Sequence, residues 1–330
     1  MELNAKITAT AHNTPSKVMT NYDLEKIVDT SDEWIKSRTG IVQRYIVSEN
    51  EASSDISTRI ASSLLEKSQT SPDEIDLIIV GTVTPDHYTP STAALVQKNI
   101  RAINAWGFDL SAACSGFIYG LETGANFIHS GKYKKVMVIG VDTMTSILDY
   151  EDRDTCVIFG DGGGGVLLEP TTSKSGIMDT LLHMDGNGGQ YLIVPAGGSK
   201  IPASIETVKK RQHFVKQDGK TVFKYAVKGM ADVSEEILNR NHLTGDDIKL
   251  FIPHQANKRI IDAAAKRCGI DNDKVLINID KYGNTTAGTI PIALNQATQS
   301  NMINNGDYIL LSSFGAGFTW GSVLIKWDSK

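Results

Sequence analysis

Two hydrophobic spacings alternate along the chain. Short runs with strand character recur at residues 77–83, 106–110, 136–141, 165–169, 250–253, 275–279, 308–312 and 322–326. Between them, apolar positions fall three and four apart, and this predicts helices over residues 58–67, 91–98, 115–128, 223–239, 260–266 and 289–300. Strands that alternate with longer helices predict α/β layers. The stretch 186–220, rich in Gly and polar residues, reads as long loops or an insertion.

The order of elements repeats. The run ending in Val80 resembles the run ending in Ile252, and the strand at 136–140 resembles that at 308–312, each roughly 172 residues further on. The strand before Cys114 likewise matches residues 275–279. Each is followed by a turn of small residues and a helix, those helices ending near Gly131 and Gly306. Residue identity between the halves is negligible. The order predicts two duplicated α/β halves, 1–172 and 173–330, with a site where they meet.

The chain has 330 residues, of which 41% are hydrophobic and 22% charged, so a sizeable core is available. The net charge of −5 argues against a general polyanion binder and leaves room for a local basic patch. No run reaches the length of a membrane helix, and the first residues carry no apolar signal region. Three cysteines at Cys114, Cys156 and Cys268 suit neither a disulfide framework nor a zinc site. A cytoplasmic protein without a structural metal is expected.

Three residues sit where a strand ends and a helix begins. Cys114 lies in a turn of small residues, Ser111-Ala112-Ala113-Cys114-Ser115-Gly116, at the start of a helix. The free N–H groups of a helix N-terminus favour thiolate, although a free Cys is more often a packing residue. His254 follows the 250–253 strand and is trailed by Gln255 and Asn257. Asn284, in Gly283-Asn284-Thr285, has an amide able to donate to an oxyanion, and taken alone it reads as a turn residue. Cys156, in the strand-like run 155–159, and Cys268 read as packing residues.

The glycine runs 160–165 and 315–321 lack the spacing of phosphate-binding loops and read as tight turns. Trp34 and Arg38 share one face of a short capped helix. Lys258, Arg259, Lys266 and Arg267 gather positive charge beside His254.

Taken together these segments resemble β-ketoacyl-acyl carrier protein synthase III over essentially the whole chain. The resemblance is carried by Thr30-Ser31-Asp32-Glu33-Trp34-Ile35, Ala112-Ala113-Cys114-Ser115-Gly116, Phe159-Gly160-Asp161-Gly162, Pro253-His254-Gln255-Ala256-Asn257, Gly283-Asn284-Thr285 and Gly315-Ala316-Gly317-Phe318-Thr319-Trp320-Gly321. It implies the thiolase-like fold, a five-layered α-β-α-β-α sandwich, usually as a homodimer. It implies a decarboxylating condensation of an acyl-CoA primer with malonyl-acyl carrier protein through an acyl-Cys114 intermediate, with no cofactor beyond the CoA substrate.

By the same resemblance, the N–H groups of Cys114 and Ala316 form the oxyanion hole, while His254 Nε2 and the Asn284 amide meet the enolate oxygen. Trp34, Arg38, Arg153, Phe223 and Asn257 bind CoA. The run from Gln255 through Ala256, Asn257 and Lys258 to Arg259 contacts the carrier protein, and Lys224, Lys266 and Arg267 add charge. Thr89 stands where many members carry Phe and is expected to leave the partner subunit's acyl pocket roomier. Asp154 replaces a common Gly beside Arg153. The rival readings are a related Cys-His-Asn enzyme of polyketide or quinolone biosynthesis and a non-catalytic acyl-CoA-binding protein; membrane and nucleic-acid partners are not expected.

Overall fold

The computed structural model describes residues 3–328. Its first sheet holds β1 (Asn4–Asn13), β2 (Leu77–Gly81), β3 (Trp106–Leu110), β4 (Val136–Thr143) and β5 (Asp161–Thr171), in the order β1-β5-β4-β2-β3. The second holds β6 (Gly176–Met184), β7 (Ile248–Pro253), β8 (Tyr308–Gly315) and β9 (Thr319–Lys326), in the order β6-β9-β8-β7. The two sheets share one topology. In each, the first strand pairs antiparallel with the last, the last pairs antiparallel with the middle strand, and the middle strand pairs parallel with the next.

The apolar runs are continuous because both faces of these strands are covered. In β2, Leu77 and Ile79 face the core between the sheets, while Ile78 and Val80 face an outer layer. In β8, Ile309 and Leu311 face inward and Leu310 outward. The central layer is a pair of buried helices, α4 (Gly116–His129) and α7 (Thr289–Gln299), packed in one core with residues of both sheets. After a short helix α1 (Asp32–Thr39), α2 (Ser53–Ser68) and α3 (Thr92–Ile100) cover the first sheet, and α5 (Gly219–Arg240) and α6 (Lys258–Arg267) cover the second. The result is five layers, as expected for the fold class.

Some local expectations fail. The run 275–279 is not a strand. It is reduced to a single parallel bridge between Val275 and Phe251, and the chain then turns at Asn278 into a short helix, Ile279–Tyr282. A side chain takes over where the strand ends: Gln255 Nε2 donates to the Pro253 and Leu276 carbonyls at 2.9 and 3.1 Å, and its Oε1 accepts from Asn278 N–H at 3.0 Å. Cys156 closes a short helix, Arg153–Cys156, and is not on a strand. The second central helix ends at Gln299, and Gly306 lies in the turn beyond.

The glycine run 160–165 is not a turn either; most of it opens β5. A Cβ at Gly163 would lie 2.7 Å from the Gly140 carbonyl oxygen, and one at Gly164 would lie 2.7 Å from the Pro291 carbonyl carbon, so only glycine lets this strand pass between β4 and α7. The 186–220 segment contains a 3-10 turn, a helix Ile205–Lys209, and the paired strands Leu192–Ile193 and Lys216–Gln217. Among the described residues no helix is long and apolar enough to cross a membrane.

Candidate active site

The two halves meet at two turns. Ala113–Ser115 forms a 3-10 turn ahead of α4, and Thr286–Gly288 forms one ahead of α7. Each turn starts with a non-glycine residue in the left-handed region, Ala113 at φ 48° and Thr286 at φ 48°. Cys114 sits in the first turn, 6% exposed. The end of β8 wraps around it. Ser313 Oγ donates to the Cys114 carbonyl at 2.9 Å, and a Cβ at Gly315 would fall 2.7 Å from Cys114 N. Glycine there brings the backbone leading to Ala316 against the cysteine's own N–H.

Cys114, His254 and Asn284 line one cavity of about 500 Å³, together with Phe223, Ala256, Asn257 and Gly315. A second, apolar chamber of about 150 Å³ is also lined by Cys114. Its walls include Val83, Met144, Ile147, Phe159, Leu192, Val215 and Ala316. The cysteine therefore lines both a wide cavity and a small apolar one.

The electrostatics differ from the sequence expectation. Burial, aided by the charge of Asp142, pushes the Cys114 thiol up to about 12, outweighing the turn's N–H groups. Burial pushes His254 down to about 3. A thiol and a neutral imidazole therefore face the cavity, not an ion pair. His254 is 1% exposed, and its backbone N–H donates to the Ser312 carbonyl at 2.8 Å. Its Nδ1 lies 2.7 Å from Thr289 Oγ1, and its Nε2 is buried with no hydrogen-bond partner among the described residues.

One peptide ties the polar groups together. Thr286 N–H donates to Asn284 Oδ1 at 2.8 Å, which fixes the amide oxygen and leaves Nδ2 as the free donor. The Thr286 carbonyl accepts from Thr289 Oγ1 at 3.1 Å, the hydroxyl that holds His254. Thr286 Oγ1 donates to Asp142. Asp142 is fully buried at the end of β4, and it also accepts from Thr82 Oγ1, Val83 N–H, Thr84 N–H and Thr84 Oγ1 at 2.8–3.1 Å. Burial raises its pKa against the pull of these donors. Sequence reasoning missed Asp142, Thr286 and Thr289. The one available signal was a carboxylate closing an apolar buried strand, where an uncompensated charge is costly.

Beside Thr39 and Asp154, which line the cavity, two guanidinium groups lie against Trp34, with Arg38 Cζ 5.1 Å and Arg153 Cζ 4.8 Å from its ring centre. Arg153 Nη1 also donates to the Asp29 carbonyl at 2.9 Å. Asp154 lines the cavity beside it. Asn257 Oδ1 caps α6 by accepting from Arg259 N–H at 2.9 Å, and its Nδ2 donates to the Arg38 carbonyl at 2.9 Å. Arg259 stacks on Phe223 at 5.1 Å.

Two expectations about the basic surface change. Gln255 is 1% exposed, because its amide replaces strand hydrogen bonds, so it cannot serve as a surface contact. The charge is also partly neutralised: Lys258 pairs with Asp262 at 2.8 Å, and Arg267 pairs with Glu235 at 2.8 Å. Lys224, Arg259 and Lys266 remain exposed. Thr89 lies outside the small chamber, in a separate surface cleft that shares Val83 and Ile147 with it.

A duplicated five-layer α/β fold with a buried cysteine where its halves meet defines a condensing acyltransferase of the thiolase-like class. Comparison with known proteins narrows the class. Residues 108–186 match the family model described as 3-oxoacyl-[acyl-carrier-protein (ACP)] synthase III, and residues 238–327 match the model of its C-terminal part. A relative from Chlorobaculum tepidum named beta-ketoacyl-[acyl-carrier-protein] synthase III is 57% identical over 329 residues, covering 99% of this chain and 100% of its own. The crystal structure of 3-oxoacyl-[acyl-carrier-protein] synthase III from Aquifex aeolicus superposes with a TM-score of 0.90 at 43% identity, covering 98% of this chain and 100% of that one. The priming beta-ketosynthase of the R1128 polyketide pathway has the same TM-score of 0.90 at only 30% identity, covering 99% and 97%. The chain belongs to the 3-oxoacyl-[acyl-carrier-protein] synthase III family.

Proposed function

We propose that this chain joins an acyl-CoA primer to malonyl-acyl carrier protein, with loss of CO₂, through a thioester on Cys114. The observation that carries the reading is that Cys114 lines both chambers. The wide one, with His254 and Asn284 on its wall, suits the reacting thioester arms, and the small apolar one suits the acyl chain. Because thiol and imidazole are both neutral, attack and proton loss occur together: His254 Nε2 takes the proton as sulfur bonds to the acyl carbon, the acyl–sulfur bond to CoA breaks and CoA leaves as its thiolate, and the proton returns to Cys114 when condensation releases its sulfur. The N–H groups of Cys114 and Ala316 would hold the oxyanion of that step.

Loss of CO₂ then places charge on the malonyl thioester oxygen. Asn284 Nδ2, its amide oxygen already pinned by Thr286, is built to donate there, with His254 as the second group at that oxygen. Trp34, Arg38 and Arg153 would take the nucleotide end of CoA, and Phe223 and Asn257 its pantetheine arm. Ala256, Asn257, Lys258, Arg259, Lys224, Lys266 and Arg267 would face the acidic carrier protein. This contact should weaken as salt rises, seen as a Michaelis constant for the carrier substrate that increases with ionic strength.

Acyl-CoA is a substrate here, and no further cofactor is invoked. A homodimer in which Thr89 reaches the partner subunit's acyl pocket, a cytoplasmic compartment and a boundary between halves at residue 172 complete the proposal. The direct test is intact mass after mixing with acetyl-CoA, isobutyryl-CoA and octanoyl-CoA separately. An acyl adduct lost in Cys114→Ser supports the reading; no adduct with any of the three overturns it.

A further inference from the structure

The small chamber has a wall that neither sheet supplies. Leu192, Ile193, Val194 and Val215 come from the 186–220 segment, while Met144 and Ile147 come from the turn that follows β4. Val215 N–H donates to the Ile147 carbonyl at 2.9 Å, joining these two pieces directly. A charged cluster joins them again. Asp149, 3% exposed, accepts from both Nε of Arg211, at 3.0 Å, and Nη2, and from Lys216 Nζ at 3.2 Å. Glu151 N–H donates to the same carboxylate at 3.0 Å. Arg211 also reaches Glu151 at 3.2 Å, and Lys216 reaches Asp152 at 3.5 Å. Paired chiefly with Arg211, Asp149 is held well below the usual carboxylate range. Charge-assisted bonds to a nearly buried carboxylate are strong, and removing the anion leaves its cations facing each other.

The cluster lies close to the wall along the chain. Lys216 adjoins Val215, and Asp149 is two residues past Ile147. Neither Asp149, Arg211 nor Lys216 lines the chamber. We infer that Asp149, clamped by Arg211 and Lys216, is a positioning residue that fixes the width of the acyl chamber and so selects which acyl-CoA primers are accepted. The inference rests on that chamber being the acyl site. At about 150 Å³ the chamber is of the size of an apolar cavity that takes a ring of about six carbons, which favours short primers. Without the clamp, the Val215 N–H bond to the Ile147 carbonyl holds the wall without ionic support, the wall loosens, and longer chains gain relative to short ones.

The test uses the full-length enzyme and two variants, Asp149→Asn and Arg211→Gln. For each, kcat/KM is measured with acetyl-CoA, isobutyryl-CoA and octanoyl-CoA, alongside the thermal midpoint. The octanoyl-to-acetyl ratio should rise roughly tenfold in Asp149→Asn, and roughly threefold in Arg211→Gln, where Lys216 still holds the carboxylate. A purely structural role would lower all three rates together, and an unchanged ratio overturns the inference. If Asp149→Asn does not fold, Arg211→Gln decides alone. Failure of every acyl-CoA to label Cys114 in the unaltered enzyme removes the underlying reading. Labelling with a ratio that neither variant moves removes only the clamp.

Discussion

The turns before α4 and α7 have the same backbone and opposite chemistry. Both carry a left-handed residue, Ala113 in one and Thr286 in the other, and both lead into a buried helix of the central layer. The next residue is Cys114 in the first and Ala287 in the second. A glycine from the other half presses on each: a Cβ at Gly315 would meet Cys114 N at 2.7 Å, and one at Gly140 would meet the Ala287 carbonyl oxygen at 2.3 Å. Yet the first turn keeps small side chains and a thiol, while the second carries Asn284, Thr286 and Thr289, anchored on Asp142. Duplication produced two equivalent helix starts. One became the nucleophile's seat and the other the frame that aims polar groups at it.

The most severe test moves the thiol. Cys114→Ala should lower condensation by at least roughly a thousandfold, and adding Ala287→Cys should restore no acyl adduct, because position 287 is buried against Gly140. A labelled Cys at position 287 would mean that the two turns are interchangeable. Asn284→Asp replaces the pinned donor with a charge. Condensation should fall by roughly a hundredfold or more, while mass spectrometry still shows acylation of Cys114.

The frame of the second half also has a pH signature. His254 is depressed from 6.5 to about 3, so between these values the unfolded chain binds a proton that the folded chain refuses. Stability from this group is complete above pH 6.5 and is lost as pH falls toward 3, by at most about 1.4 kcal/mol per pH unit. Denaturation midpoints of His254→Gln should show a shallower decline over that range.

Smaller effects separate the two glycines and the two left-handed residues. Gly140→Ala and Gly315→Ala each force a carbon onto backbone, at 2.3 and 2.7 Å; the first should cost stability by about 3 kcal/mol, and the second, where the shift falls on Cys114, should lower acylation as well as stability. Ala113→Gly relieves a strained conformation and should be neutral or stabilising by up to about 1 kcal/mol. Thr286→Gly relieves the same strain but removes the bond to Asp142, so it should destabilise. Equal responses of the pair would show that the second turn carries no special polar load.

What the sequence revealed follows from which forces are local. Periodicity placed β2, β4, β8 and the central helices, because burial on both faces writes itself into neighbouring residues. Cys114 and His254 could be singled out because each follows a strand and precedes a helix, whereas Asn284, which follows a short helix, stood out through the resemblance carried by Gly283-Asn284-Thr285. The polar frame could not, since Asp142 meets Thr286 across 144 residues and neither partner's neighbours advertise the other. Gln255 misled for the same reason: a polar residue between Pro253 and Ala256 looks like surface until the shortened 275–279 run leaves backbone groups for its amide to satisfy. The 186–220 segment had no periodicity to read, and only the fold brings Leu192 and Val215 to the small chamber.

The guanidinium groups of Arg38 and Arg153 against Trp34 make the protein its own first occupant. A flat ring arriving at an indole face that a guanidinium covers must displace it, so the affinity measured for such a guest is a difference between two stackings. The exchange also changes what surrounds one of only four tryptophans, which gives this chain a native fluorescent reporter of arrival beside its cavity.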